Sequence, residues 1–188
     1  MFISDTHLPQ LLPAKAYSDE GWYKQECEKV FHDAWWAIAF SVEFQNDGDF
    51  LTVDLPCGPV VLWQRDGVIR AFLNVCAHRL SRLTSKTKGC CDTLVCEYHG
   101  WEYAASGKTK RIPDAPSFRP LEKDGLGLRP LCVEVVGGIV FVSQIEGSPS
   151  IQSHLGQEET NRLCRRDRHP GRVIYQADLD IPVNWKVL

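Results

Sequence analysis

Residues 74–83, NVCAHRLSRL, and residues 94–103, LVCEYHGWEY, decide how this chain reads. Together they give C-x-H-x17-C-x2-H, with Cys76 and His78 in the first segment and Cys96 and His99 in the second. Thiolate is soft and anionic and suits ferric iron bridged by sulfide, and neutral imidazole suits a second iron. Two Cys and two His are also a zinc ligand set. Zinc sites, however, usually open with two Cys a few residues apart, whereas each segment here pairs one Cys with one His. The pattern therefore predicts a two-iron two-sulfur cluster held by two short loops, each giving one sulfur and one nitrogen.

A 2Fe–2S centre in which two His replace two Cys on one iron is of the Rieske type. Exchanging two thiolates for neutral rings removes negative charge. The potential rises to roughly −150 to +300 mV, against about −400 mV for an all-Cys plant-type centre. The flanking residues carry a closer resemblance. NVCAHR and CEYHGW, followed by Tyr103, Ser106-Gly107-Lys108 and Ile112-Pro113, resemble the Rieske domain of the alpha subunits of aromatic-ring-hydroxylating oxygenases, choline-monooxygenase-like members especially. The likeness begins at LPAKAYSDEGWYKQECEKVFHDAWW (12–36), continues in GLRPLCVEVVGGIVFVS (127–143) and ends at NWKVL (184–188).

That resemblance implies a mainly β Rieske fold: small antiparallel sheets with two metal-binding hairpin loops, preceded by an N-terminal helix. It implies Cys76 and Cys96 on one iron and His78 and His99 on the other, supported by Arg79, Tyr98, Gly100 and Trp101. It further implies an electron donor, a reductase or ferredoxin. The acceptor would be a mononuclear Fe(II) in a catalytic domain, in a neighbouring subunit of a homo-oligomer. Two positions depart from the family's usual residues: Leu80 stands for Gly, and Glu97 for Pro. Gly at the first would allow a positive φ that Leu resists, so a local difference in the first loop is expected. Respiratory Rieske proteins brace their loops with a disulfide. The matching positions here are Ser81 and Tyr98, which favours the oxygenase or ferredoxin type.

The acceptor iron's signature, an Asp or Glu three residues before a His with a second His about five further on, is absent from the sequence. His7, His32, His154 and His169 are scattered. The chain is thus expected to be the electron-relay half of an oxygenase, transferring electrons only, with the catalytic domain missing. A free-standing Rieske ferredoxin-type carrier is the alternative. The N-terminal helix and NWKVL weigh against it, because a small ferredoxin needs neither. A regulatory module retaining the fold as a remnant is disfavoured by the complete ligand set.

A formal net charge of −3 without a basic stripe gives no reason to expect nucleic-acid binding. No apolar run approaches a membrane span, and MFISDTHLPQ (1–10) is not an export signal, so a cytoplasmic location is expected. The eight Cys therefore read as two ligands and six reduced thiols: Cys27, Cys57, Cys90, Cys91, Cys132 and Cys164. Cys90 and Cys91 lie between the ligand loops and are the rival ligands; ordinary thiols are the simpler reading.

Three regions are predicted: 1–35, an extension and helix; 36–146, the Rieske domain; 147–188, a linker and the first strand of a catalytic domain. The helix is expected over 18–34, capped by Ser18 or Asp19 and facing inward through Trp22, Val30, Phe31 and Ala34. Strands are expected at 36–44, 50–55, 59–64, 68–73, 93–96, 101–104, 131–136 and 139–145, with turns at Asp66-Gly67 and Gly137-Gly138. Residues 107–130 read as a surface excursion, 151–164 as a short helix and 172–181 as a strand.

Overall fold

The computed structural model describes residues 12–56, 58–118, 125–166 and 179–187. Its centre is a seven-stranded sheet, built from hairpins that each bring an apolar run against its neighbour. The strands are β1 (Trp35–Phe40), β2 (Asp49–Leu55), β3 (Gly58–Arg65), β4 (Val68–Leu73), β5 (Lys88–Cys90), β6 (Leu94–Val95), β7 (Glu102–Tyr103), β8 (Thr109–Arg111), β9 (Pro130–Val136) and β10 (Ile139–Ser143). The large sheet runs β1-β10-β9-β4-β3-β2-β5, and β6-β7-β8 form a second, three-stranded sheet. The described strands pair antiparallel throughout both sheets.

Two tight turns set the registers. Asp66 (φ 53°) and Gly67 (φ 71°) join β3 to β4, and Gly137 (φ 58°) and Gly138 (φ 73°) join β9 to β10. Positive φ at both central residues matches the right-handed twist of the flanking strands, which is why Asp-Gly and Gly-Gly serve here. β3 lies inside the sheet between β4 and β2, and Val60, Val61, Leu62 and Trp63 are all essentially inaccessible. One face, through Val60 and Leu62, packs with Ala39, Phe44, Ala71, Val140 and Val142. The other, through Val61 and Trp63, packs with Phe72, Leu83, Leu94, Trp101, Tyr103 and Leu128, and so carries the three-stranded sheet and both ligand loops.

The N-terminal helix differs from its expected form. An α-helix, α1 (Glu20–Glu26), is capped by Asp19, whose carboxylate accepts from the Trp22 amide at 2.8 Å. It then widens into one π turn over Cys27–Phe31, closed by His32 N donating to Cys27 O at 2.9 Å. That extra residue rotates Val30 into solvent, so the inward face is Glu26 and Phe31 rather than the evenly spaced apolar set. Phe31 packs edge-on to Trp185 at 5.1 Å between ring centres. Glu26 accepts from Lys186 Nζ at 2.6 Å and from Trp185 Nε1 at 3.0 Å. Residues 184–187 therefore clasp α1.

β5 and β8 were not expected, and residues 151–164 form two helices, α2 (Ile151–Leu155) and α3 (Gln157–Arg166), separated by Gly156 at φ 80°. Most of the strand expected at 172–181 lies outside the described residues. Its end, 179–181, has no regular structure, and Trp185–Val187 is a 3-10 turn. His7, His169 and Cys57 also lie outside them. The seven described cysteines are all free thiols. No described helix is long and apolar enough to cross a membrane.

Candidate metal centre

The two segments fold into loops of one design. In the first, Cys76 N donates to Ser81 O at 2.8 Å and Leu80 N to Cys76 O at 3.0 Å. In the second, Cys96 N donates to Trp101 O at 2.8 Å and Gly100 N to Cys96 O at 2.9 Å. Each loop thus closes from its Cys to the residue five on, and the residue four on takes a positive φ: Leu80 at 57°, Gly100 at 67°. His78 stands two residues after its Cys and His99 three after its own, yet the backbone frames match.

Leu80 therefore corrects the expected local difference. The loop keeps the left-handed conformation, and Leu adopts it because the two hydrogen bonds that close the loop fix the turn. An L side chain there costs roughly 1–2 kcal/mol. Leu80 is 78% exposed, so its removal forfeits little burial. Leu80→Gly is expected to stabilise the protein by about 0.5–1 kcal/mol after the entropy of Gly is deducted, measured by denaturant unfolding. A loss of stability would mean that the Leu80 side chain makes contacts not seen here.

The four side chains meet as two pairs. Cys76 and Cys96 are 1% and 2% exposed at the bottom of the loops. The His78 and His99 rings lie above, 4.8 Å apart at 63°. His78 stacks on Trp101 at 4.8 Å and 4°, and Tyr98 lies 3.8 Å from the His99 ring. Trp101 is buried, whereas Arg79 and Tyr98 stand exposed at the rim. Among the described residues, no three of His, Cys, Asp and Glu gather around a single metal position. Two pairs rather than one tetrahedral cage suit a binuclear cluster better than a lone zinc ion.

Donors converge on the sulfurs. Tyr103, fully buried, places its Oη 3.0 Å from Cys76 Sγ and accepts from the Ala77 amide at 3.1 Å. Burial, and then Cys76 itself, push the Tyr103 pKa up, so the phenol stays a donor. Ser81 Oγ lies 3.9 Å from Cys96 Sγ. Burial pushes the Cys76 thiol up. Burial acts on Cys96 too, but the Tyr98 and His99 amides outweigh it and lower its pKa. Burial, then the charges of His99 and Arg79, lower the His78 pKa and favour the neutral ring that a metal ligand needs.

The sequence profile described as the Rieske [2Fe-2S] domain matches residues 34–128, half of the chain. The chain belongs to the Rieske 2Fe–2S domain family. Biphenyl 2,3-dioxygenase subunit alpha of Rhodococcus jostii is 31% identical over 180 residues, covering 93% of this chain and 39% of that protein. The glycine betaine monooxygenase oxygenase subunit of Pseudomonas aeruginosa is 31% identical over 178 residues, covering 94% of this chain and 41% of that protein. The chain thus spans about two fifths of the length of these curated relatives. Among solved structures, a quaternary ammonium Rieske monooxygenase studied for carnitine oxidation and inter-subunit electron transfer superposes with a TM-score of 0.75. It is 26% identical, over 81% of this chain and 42% of that one.

The donor set fits a Rieske cluster: two buried thiols with N–H and O–H groups aimed at them, and two rings nearer the surface. Cys90 and Cys91 are placed elsewhere. Cys90 is exposed, with its Sγ 3.6 Å from Asp47 O, and Cys91 packs at the edge of the core. Sequence reasoning had Tyr103 only as part of the resembling motif and missed its contact with Cys76, although its position in the alternating GWEY run marks it as inward-facing. It also missed Asn74, fully buried at the root of the first loop. Asn74 Nδ2 donates to Thr84 O at 2.9 Å, and its Oδ1 accepts from Thr84 N at 3.1 Å.

Proposed function

We propose that this Rieske domain relays single electrons to a mononuclear non-haem iron of a ring-hydroxylating or related oxygenase, that iron lying outside this chain. Cys76 and Cys96 would hold one iron of the cluster, and His78 and His99 the other. When bound, the cluster supplies reversible one-electron chemistry. The buried thiols, the Tyr103 hydroxyl and the stacked Trp101 exclude water and fix the ligand positions. The two rings lie toward the rim, and they are the route by which an electron enters and leaves.

The observation that carries this reading is the reach of the likeness. The relatives align over 93–94% of the chain, far beyond residues 34–128, and a match of that length takes in α1, the helix to which Trp185 and Lys186 are clasped. A free-standing carrier has no use for that clasp. We therefore take 1–35 as an extension and helix, 36–146 as the electron-transfer domain and 147–188 as the passage to a catalytic domain. A reductase or ferredoxin donor, assembly as a homo-oligomer and a cytoplasmic setting go with this reading. The test is reduction. A titrant electron source should bleach the visible absorption with one electron per chain. A chain that takes up none under anaerobic titration contradicts the proposal.

A further inference from the structure

We propose that Glu97 is a positioning residue that straps the two ligand loops together and, through its charge, lowers the cluster's electron affinity. This rests on the reading of the centre given above. Glu97 follows Cys96 directly, and its carboxylate crosses to the returning limb of the first loop. Thr84 Oγ1 donates to Oε1 at 2.7 Å, the Ser85 amide to Oε1 at 3.1 Å and Ser85 Oγ to Oε2 at 2.9 Å. The Glu97 amide donates to Leu83 O at 3.2 Å. Thr84 is buried and held in turn by the two bonds to Asn74. An unbroken chain of hydrogen bonds thus runs from the root of the first loop, through the carboxylate, to the neighbour of a ligand Cys in the second.

Three bonds to the carboxylate and one from the backbone amide tie this single residue to the returning limb of the first loop. They do non-covalently what a disulfide between the loops would do. The hydrogen-bond partners are hydroxyls and an amide, and the Lys86 ammonium acts on the carboxylate only from beyond ion-pair distance, so the negative charge is offset only in part. A carboxylate is ionised at neutral pH. Reduction adds negative charge to the centre, and a neighbouring anion opposes it. Solvent screens an exposed group and limits the size of the effect, but the sign is fixed.

The experiment compares wild type, Glu97→Gln and Glu97→Ala. Gln keeps a carbonyl oxygen for Thr84 and Ser85 but removes the charge. It is expected to retain iron and sulfide and to raise the midpoint potential measured by voltammetry. Ala is expected to raise the potential likewise, to release iron to a chelator several times faster, and to let the Ser85 amide of the metal-free protein exchange about tenfold faster. Potentials unchanged in both variants overturn the proposal, as does unchanged Ser85 exchange in Glu97→Ala. If Glu97→Ala cannot hold a cluster, the potential of Glu97→Gln and the metal-free exchange still decide. A wild-type chain that binds no cluster contradicts the Rieske reading instead, while the exchange measurement continues to report on the strap.

Discussion

Cys76→Ser and Cys96→Ser are each expected to give colourless protein without iron or acid-labile sulfide, whereas Cys90→Ser and Cys91→Ser stay red-brown. Each proposed ligand Cys is the sole sulfur from its loop, and both thiols are buried, with the Tyr103 hydroxyl on one and Ser81 on the other. A hydroxyl is a poor soft ligand, so one substitution removes an essential anchor from one iron. Serine is the sharper choice than alanine because it nearly preserves the volume of two side chains that belong to the buried core. Circular dichroism then separates loss of metal from loss of fold. Cys90 and Cys91 touch neither sulfur site: the first is exposed near Asp47 and the second packs at the core's edge. Iron retained in Cys76→Ser but lost in a Cys90 or Cys91 variant would move the centre to other ligands.

The reduced protein is expected to form no oxygenated product. With a reductase, reduced nicotinamide and a panel of aromatic and quaternary-ammonium compounds, the centre should cycle while every substrate is recovered intact. A Rieske cluster is saturated by sulfide, Cys and His and leaves no open position for oxygen. Oxygen activation at a non-haem iron needs a facial set of two His and one carboxylate. No His in the sequence has Asp or Glu three positions before it. Among the described residues no cluster of three His, Cys, Asp or Glu could hold such an ion. Product formed in step with oxygen uptake, after controls for free iron and peroxide, would reveal a second metal site in this chain.

Much of the fold was legible in the sequence, for identifiable reasons. Asp66-Gly67 and Gly137-Gly138 can take positive φ at low cost, so they announce hairpins. The VVLW run of β3 reads as a strand because both of its faces are covered. β5 (Lys-Gly-Cys) and β8 (Thr-Lys-Arg) stayed hidden. They are short, polar and joined to their sheets through backbone bonds, which leave no apolar alternation. The π turn in the N-terminal helix was equally silent, since Val30 looks like a core residue until the extra residue per turn rotates it outward.

Cys76, His78, Cys96 and His99 stood out as candidate ligands because a metal accepts few atom types and their spacing is distinctive. Their supports were less so. Tyr103, Ser81, Asn74 and Thr84 act by meeting the opposite loop or limb, and that meeting is a property of the folded backbone. Leu80 shows the point most directly. Its side chain argues against a left-handed turn, yet the frame shared with Cys96–Trp101 imposes one. Superimposing the two loops by their Cys residues aligns Leu80 with Gly100 and would have exposed that demand in the sequence itself.

The central claim is that Cys76, Cys96, His78 and His99 together hold a Rieske cluster. Its most direct test is electron paramagnetic resonance of the reduced, iron-reconstituted protein, with nitrogen couplings resolved after isotopic labelling of histidine. The account predicts about two irons and two acid-labile sulfides per chain, an average g below that of an all-Cys centre, and coupling to two histidine nitrogens. His78→Ala and His99→Ala should each abolish that signal. Stoichiometric zinc without sulfide, or an iron–sulfur signal without histidine nitrogen coupling, would contradict it.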